Sequence, residues 1–285
     1  MVVFNVSLNY KIVIGSSEDM SEVEDNTIQL TVTSPPYHDL VIFSEGEEEG
    51  WKNDLSRIES KDVFFKRIGK VWSECFRVTK YGGYLVCEWE DNPVGSRTYG
   101  YPREICYAGP MIKSIEDAGF HLISRWFWKK FETGAILRKF QYTLHSNLTS
   151  SDPRAIANVA YVFVFKKGRG NRPKELDFAK DEWTIWCDGL WRIENPSTSA
   201  GGLSAGAIFP EELVRRLIKI YSSPEEVILD PFLGTGTTMK VAFSLDRSCI
   251  GYEALARMLP YIRKKVSYRS TKLFSKVDWS IVKKE

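Results

Sequence analysis

Two short stretches combine residue types that can do chemistry. The first is Ser34-Pro35-Pro36-Tyr37, directly after the run Ile28-Gln29-Leu30-Thr31-Val32-Thr33. That run alternates apolar and polar residues as a half-buried strand does. Pro35 and Pro36 fix φ and remove two backbone donors, so the strand must stop at Ser34. What remains is a stiff backbone with open carbonyls, one hydroxyl and one aromatic ring. Taken alone, the tetrapeptide fits a rigid strand-to-loop turn as well as it fits a catalytic one.

The second stretch is EEVILDPFLGTGTTMKVAFSLDRSCIGYE, residues 225–253. It reads as a strand (Val227-Ile228-Leu229), an acid (Asp230), a glycine-containing turn, a helix from about Thr237, and a second strand, Ser248–Tyr252, ending in Glu253. Gly234 and Gly236 let a ligand approach the backbone where a Cβ would block it. Glu253, at the tip of the second strand, is placed to accept hydrogen bonds from both ribose hydroxyls of an adenosine. No Lys precedes Thr237, which excludes a phosphate-cradling nucleotide loop, and Met239 stands where a dinucleotide fingerprint needs its third glycine. A nucleoside ligand without a pyrophosphate fits best, although a tight strand-to-helix turn with a coincidental downstream acid gives the same spacing.

Elements that position these stretches are legible on either side. Residues 62–79 carry Phe64, Ile68, Val71, Trp72, Cys75 and Phe76 on one helical face, and Tyr81-Gly82-Gly83 is read as the helix stop. Strands are expected at 84–90, 121–130 and 159–167, with helices at 103–118 and 209–223. The alternation predicts an α/β layer fold with a mostly parallel sheet. Residues 132–157 and 168–206 break the pattern and read as loops or a recognition insert. The organisation expected is one domain over 1–285, with 132–206 as a target-recognition insert or loops within it.

Composition narrows the partner. The chain has 285 residues, 43% of them hydrophobic, with a net charge of only +2. Yet residues 121–180 hold twelve bases against four acids, and residues 1–60 hold twelve acids against three bases. Such asymmetry suits a face that meets a polyanion, and equally a solvated charged surface. Lys129, Lys130, Arg138, Lys139, Lys166, Lys167 and Arg169 are the candidates for phosphate contacts, with Arg263, Lys264 and Lys265 behind them. No apolar run is long enough to span a membrane, and the N-terminus lacks the pattern of a secretion signal, so a cytoplasmic protein is expected. The five cysteines include no CxxC pair, so no metal site or disulfide framework is expected.

Ser34-Pro35-Pro36-Tyr37 together with Asp230-Pro231-Phe232-Leu233-Gly234-Thr235-Gly236-Thr237-Thr238 resembles the β-class amino methyltransferases of the N4-cytosine type. Ala207-Ile208-Phe209-Pro210-Glu211-Glu212-Leu213, Arg77–Gly83 and Gly251-Tyr252-Glu253 resemble further segments of that family, in the same order. The resemblance implies a Rossmann-like sheet in permuted order, with the catalytic motif first and the cofactor motif last. It implies S-adenosyl-L-methionine as cofactor, held by Phe209, Asp230, Pro231, Phe232, Gly234, Gly236, Thr237, Thr238 and Glu253. It implies Ser34, Pro35, Pro36 and Tyr37 as the catalytic set, with Ser34 and the Pro35 carbonyl accepting from the target amine and Tyr37 stacking on the extruded base. Ser at position 34 favours cytosine within this family. C5-cytosine chemistry needs a Pro-Cys dipeptide, and none is present.

The activity expected is methylation of cytosine N4 in duplex DNA in a restriction-modification setting, with a cognate restriction endonuclease as possible partner. N4-methylation of cytidine in RNA is the second reading, and adenine-N6 methylation of DNA the third. A non-catalytic nucleic-acid-binding relic of the fold is the reading from outside enzymology.

Overall fold

The computed structural model describes residues 7–37, 51–58, 60–94, 103–130, 158–170, 176–194, 209–266 and 276–284. Arg138 and Lys139, like most of the expected recognition insert, lie outside the described residues. The frame is a nine-stranded sheet. It is built from β1 (Ser7–Ile14), β2 (Ile28–Thr33), β3 (Thr79–Trp89), β6 (His121–Lys129), β7 (Val159–Lys166), β8 (Leu190–Arg192), β9 (Val227–Asp230), β10 (Ser248–Glu253) and β11 (Lys276–Lys283). Their spatial order is β11-β1-β10-β9-β2-β3-β7-β6-β8. Every neighbouring pair is parallel except those that β7 makes with β3 and β6. The sheet is therefore mostly parallel, as expected, with β7 alone reversed.

Helices cover both faces. On one side α1 (Lys61–Val78) and α2 (Ala108–Asp117) pack their apolar stripes on Leu85, Cys87, Leu229 and Tyr252. Opposite lie α4 (Glu211–Tyr221), α5 (Thr237–Ser244) and α6 (Leu259–Val266) over Ile12, Val32, Val86 and Ile228. The stripe read from sequence on α1 is buried at Phe64, Ile68, Val71, Trp72 and Cys75, and Ser60 caps its start by accepting from Val63 N–H. Burial of both sheet faces explains why β2 is buried throughout rather than on alternate residues.

Three expectations change. Gly82 and Gly83 do not stop α1; the helix ends at Val78, and both glycines lie within β3. A Cβ on Gly82 would meet Gly170 Cα at 2.6 Å, so the residue serves a close backbone approach. The helix expected from 103 starts only at Ala108. Residues Arg103–Ile105 form β5, paired antiparallel with β4 (Asn92–Val94), and Asp91 caps the helix by accepting from Tyr107 and Ala108 N–H at 2.7 and 2.9 Å. Within the stretch read as loops lie α3 (Lys180–Trp186) and β8, which extends the sheet beyond β6, and Trp191 of β8 stacks on Trp126.

Candidate active site

All five strands from β1 to β3 across the centre of the sheet run the same way, so their C-terminal ends form one edge. That edge brings together Gly15, Glu253, Asp230, Ser34 and Glu88, which is where open α/β sheets bind ligands. Connections diverge to opposite faces between β9 and β2. Asp230 and Thr33 bridge this junction, the Thr33 hydroxyl donating to Asp230 Oδ1 at 2.9 Å.

On the β9–β10 side the glycine turn has the conformation its sequence calls for. Gly234 and Gly236 have φ of 53° and 86°, in the left-handed region that a side chain disfavours. Asp230 also accepts from Phe232 N–H at 3.1 Å, and burial raises its carboxyl to about 6. Glu253 accepts Gly234 N–H on Oε2 at 2.8 Å and Leu255 N–H on Oε1 at 2.9 Å. Burial pushes its pKa up to about 7 against these two donors. Each oxygen keeps a lone pair for a further donor. Pro231, Thr237 and Thr238 are buried, Phe232 sits edge-on to Trp72, and half-buried Phe209 packs against the core. The Thr238 hydroxyl is buried beside the Asp230 carboxylate and helps to hold its charge. An open turn and a carboxylate with spare lone pairs fit a nucleoside with hydroxyl groups of its own. Lys265 of α6, read from sequence as a surface base, turns inward instead. It donates to the hydroxyls of Thr235 and Thr237 at 2.8 and 2.5 Å, and burial lowers its pKa to about 8.

On the β2–β3 side Ser34, Pro35, Pro36 and Tyr37 follow the last residue of β2. The Ser34 hydroxyl donates to Glu88 Oε2 at 2.7 Å, and the Tyr37 hydroxyl lies 3.1 and 3.3 Å from the two oxygens of the same carboxylate. The Tyr37 ring is 5.0 Å from that of Trp89, tilted by 49°. Glu88 is 2% exposed, and burial raises its pKa, with Lys130 and Ser34 opposing the shift. Sequence reasoning missed Glu88. The available signal was an acid inside the otherwise apolar run Tyr84-Leu85-Val86-Cys87, since a buried carboxylate must have partners.

The basic candidates separate by strand direction. Lys129 ends β6 on the same edge as the site. Lys166, Lys167 and Arg169 end the reversed β7 or follow it, at the opposite edge, where Lys166 pairs with His121, the first residue of β6. These three do not line the crevice. Lys167 is moreover buried, its ammonium donating to the carbonyls of Phe76 and Thr79 and to Asn26 Oδ1. Lys130 is also buried, 2.5 Å from Glu90, so neither residue is a surface contact for phosphate.

The family model described as DNA methylase matches residues 28–264. The chain belongs to this family: it is a methyltransferase of DNA that uses S-adenosyl-L-methionine. It is 28% identical to the type II methyltransferase M.MjaI of Methanocaldococcus jannaschii, over 96% of both chains. It is 29% identical to the type II methyltransferase M.MthZI of Methanothermobacter thermautotrophicus, over 86% of this chain and 72% of that one. Among solved structures, a putative DNA modification methylase from Thermus thermophilus, complexed with S-adenosyl-L-methionine, shares the fold. Its TM-score is 0.72 at 21% identity, covering 97% of this chain and 99% of that one. The PvuII cytosine-N4-specific DNA methyltransferase shares it at a TM-score of 0.68 and 18% identity, covering 94% and 89%. Among the described residues no helix is long and apolar enough to cross a membrane, and no cluster of metal-ligating side chains occurs.

Proposed function

We propose that the chain methylates the exocyclic N4 amine of cytosine in duplex DNA, as the modification enzyme of a restriction-modification pair. The observation that carries this reading is the hydrogen bond from Ser34 to Glu88. The cytosine amine is a poor nucleophile because its lone pair is delocalised into the ring. An acceptor on one of its N–H groups favours a pyramidal nitrogen whose pair is free to attack. Ser34 spends its own hydrogen on Glu88, so its oxygen is left as an acceptor. A hydroxyl at position 34 with a carboxylate behind it, rather than a carboxylate in direct reach, supports cytosine over adenine.

S-adenosyl-L-methionine supplies an electrophilic methyl: the C–N bond to the base forms as the C–S bond breaks, and sulfur keeps the bonding pair. The methylated amine is then cationic and acidic. Ser34 Oγ takes its proton while the serine hydrogen passes to Glu88, which leaves a neutral base and a protonated carboxyl. Tyr37 stacks on the extruded base and holds it in place. Glu253 holds the cofactor's ribose hydroxyls and Asp230 fixes the turn beneath it. Within residues 132–206, β7 is a strand inside the sheet, and the reading of the target sequence is assigned to the segments on either side of it.

The test is transfer of label from S-adenosyl-L-methionine to genomic DNA and, separately, to total RNA, followed by nucleoside digestion and mass spectrometry. N4-methyldeoxycytidine is expected. N6-methyldeoxyadenosine would redirect the base assignment, and label confined to RNA would overturn the choice of duplex DNA.

A further inference from the structure

Lys130 follows β6 directly, and its side chain is 9% exposed. Its ammonium lies 2.5 Å from Glu90 Oε2, 4.0 Å from Glu88 Oε1 and 4.9 Å from the centre of the Trp128 ring. Glu88 and Glu90 are two residues apart on β3 and its continuation, so both side chains project to one side of the sheet. The described ionisable or hydroxyl groups that face Glu88 come from three elements. Ser34 and Tyr37 come from the loop after β2, Cys87 and Glu90 from β3 and the residue beyond it, and Lys130 from the end of β6. Among them Lys130 is the single cation, and two carboxylates share it.

We infer that Lys130 is a positioning residue that keeps Glu88 ionised, and thereby fixes the direction of the Ser34 hydroxyl. The inference rests on the proposed amino-methyl transfer and deepens it. An ionised Glu88 can only accept, so Ser34 must donate to it and present its oxygen to the substrate amine. A protonated Glu88 can donate instead. The hydrogen bond then reverses, the serine lone pair is consumed, and the serine hydrogen confronts an amine hydrogen. A carboxylate this deeply buried does not remain charged without a nearby cation, and burial of a carboxylate beside a second one makes the demand greater. Lys130 meets it without touching substrate or cofactor. Glu90 holds the ammonium in place and competes for it, so Lys130 and Glu90 act on Glu88 in opposite directions.

The experiment is the pH dependence of single-turnover methyl transfer to duplex DNA at saturating cofactor, for the wild type, Lys130→Met, Lys130→Arg and Glu90→Gln. Affinity for S-adenosyl-L-homocysteine, measured by calorimetry, reports that each variant retains its fold. In Lys130→Met the acid limb is expected to move to higher pH by about one to three units, the effect of an adjacent opposite charge on a carboxyl. Lys130→Arg should return it toward the wild-type position. In Glu90→Gln it should move to lower pH, because a like charge is lost and Lys130 turns wholly to Glu88. If Lys130→Met does not fold, the downward shift in Glu90→Gln still decides the matter. Coincident limbs in the variants that fold overturn the inference while leaving the methyl transfer itself intact. So does a Lys130→Met protein whose limb is unmoved but whose DNA binding loses salt dependence, since Lys130 would then be a phosphate contact. A wild type that methylates no DNA at any pH would instead bring down the proposed function.

Discussion

Ser34 and Glu88 are 54 residues apart in the chain, yet the serine hydroxyl donates to the carboxylate over 2.7 Å across the paired strands β2 and β3. Parallel pairing places the ends of both strands at one edge, so a loop residue and a strand residue become a single unit. Residues that act as a unit give non-additive losses. Ser34→Ala and Glu88→Gln are each expected to slow single-turnover transfer by about 10²–10⁴-fold, the range for a positioned proton acceptor. The double variant should be little slower than the worse single one. Affinity for S-adenosyl-L-homocysteine should stay near the wild-type value in all three, because the groups proposed to hold the cofactor lie on β9 and β10. Additive losses would separate the two residues.

Glu253 predicts how cofactor affinity responds to pH. Burial raises its pKa to about 7, from an ordinary 4.5. Ribose hydroxyls need the ionised form, which offers acceptors on both oxygens. Affinity for S-adenosyl-L-homocysteine, measured by calorimetry, is therefore expected to fall as pH drops below about 7. Stability of the cofactor-free protein runs the other way. A raised carboxyl pKa means that the folded state binds the proton more tightly, so this group's contribution is greatest below about 4.5 and is lost as pH rises through 7. Glu253→Gln should weaken binding and flatten its pH dependence. An unchanged slope in that variant would place the titrating group elsewhere.

The fold and the geometry of the candidate site were legible where the signal is local. Paired prolines after an alternating run end β2 at the right place, the left-handed demand at Gly234 and Gly236 needs only those two residues, and a 3.6-residue apolar spacing gives α1 and α4. What was illegible depends on pairing. An apolar strand reads alike in either direction, so Val159–Lys166 gave no hint that β7 is reversed and carries Lys166 and Arg169 away from the crevice. Lys130 and Lys167 read as surface bases because a lysine's sequence position says nothing about which carboxylate or carbonyl it will meet. β11 was missed for a related reason. As an edge strand with charge at Lys276, Asp278 and Lys283, it pairs with β1 without the apolar run that marks a central strand.

Arg247 shows how a segment read as loop is held to the core. Its side chain is fully buried and meets Asp177 at 2.8 and 3.1 Å while donating to the carbonyls of Ser222 and Leu245. Asp177 is 28% exposed, so water can take the place of its partner when the arginine is removed. Arg247→Met leaves two buried backbone carbonyls without this donor and is expected to cost about 1–3 kcal/mol. Asp177→Ala should cost less than Arg247→Met if the guanidinium is held mainly by those carbonyls. Urea unfolding of both variants checks the order. Equal midpoints to the wild type would show that the pair carries no net stability.

Strand direction also predicts which bases meet DNA. Lys129 lies on the edge that holds Ser34 and Glu253, whereas Arg169, although exposed, follows β7 on the opposite edge. Each phosphate contact contributes about 0.9 to the slope of log affinity against log salt. Lys129→Ala is expected to lower that slope by roughly one contact and to weaken binding alike on all duplex sequences. Arg169→Ala should leave slope and affinity at the wild-type values. Titrations of both variants with one duplex at several salt concentrations settle the contrast. A reduced slope in Arg169→Ala would mean that the duplex reaches round β7 to the far edge of the sheet, a path that a substrate bound only over the C-terminal strand ends does not take.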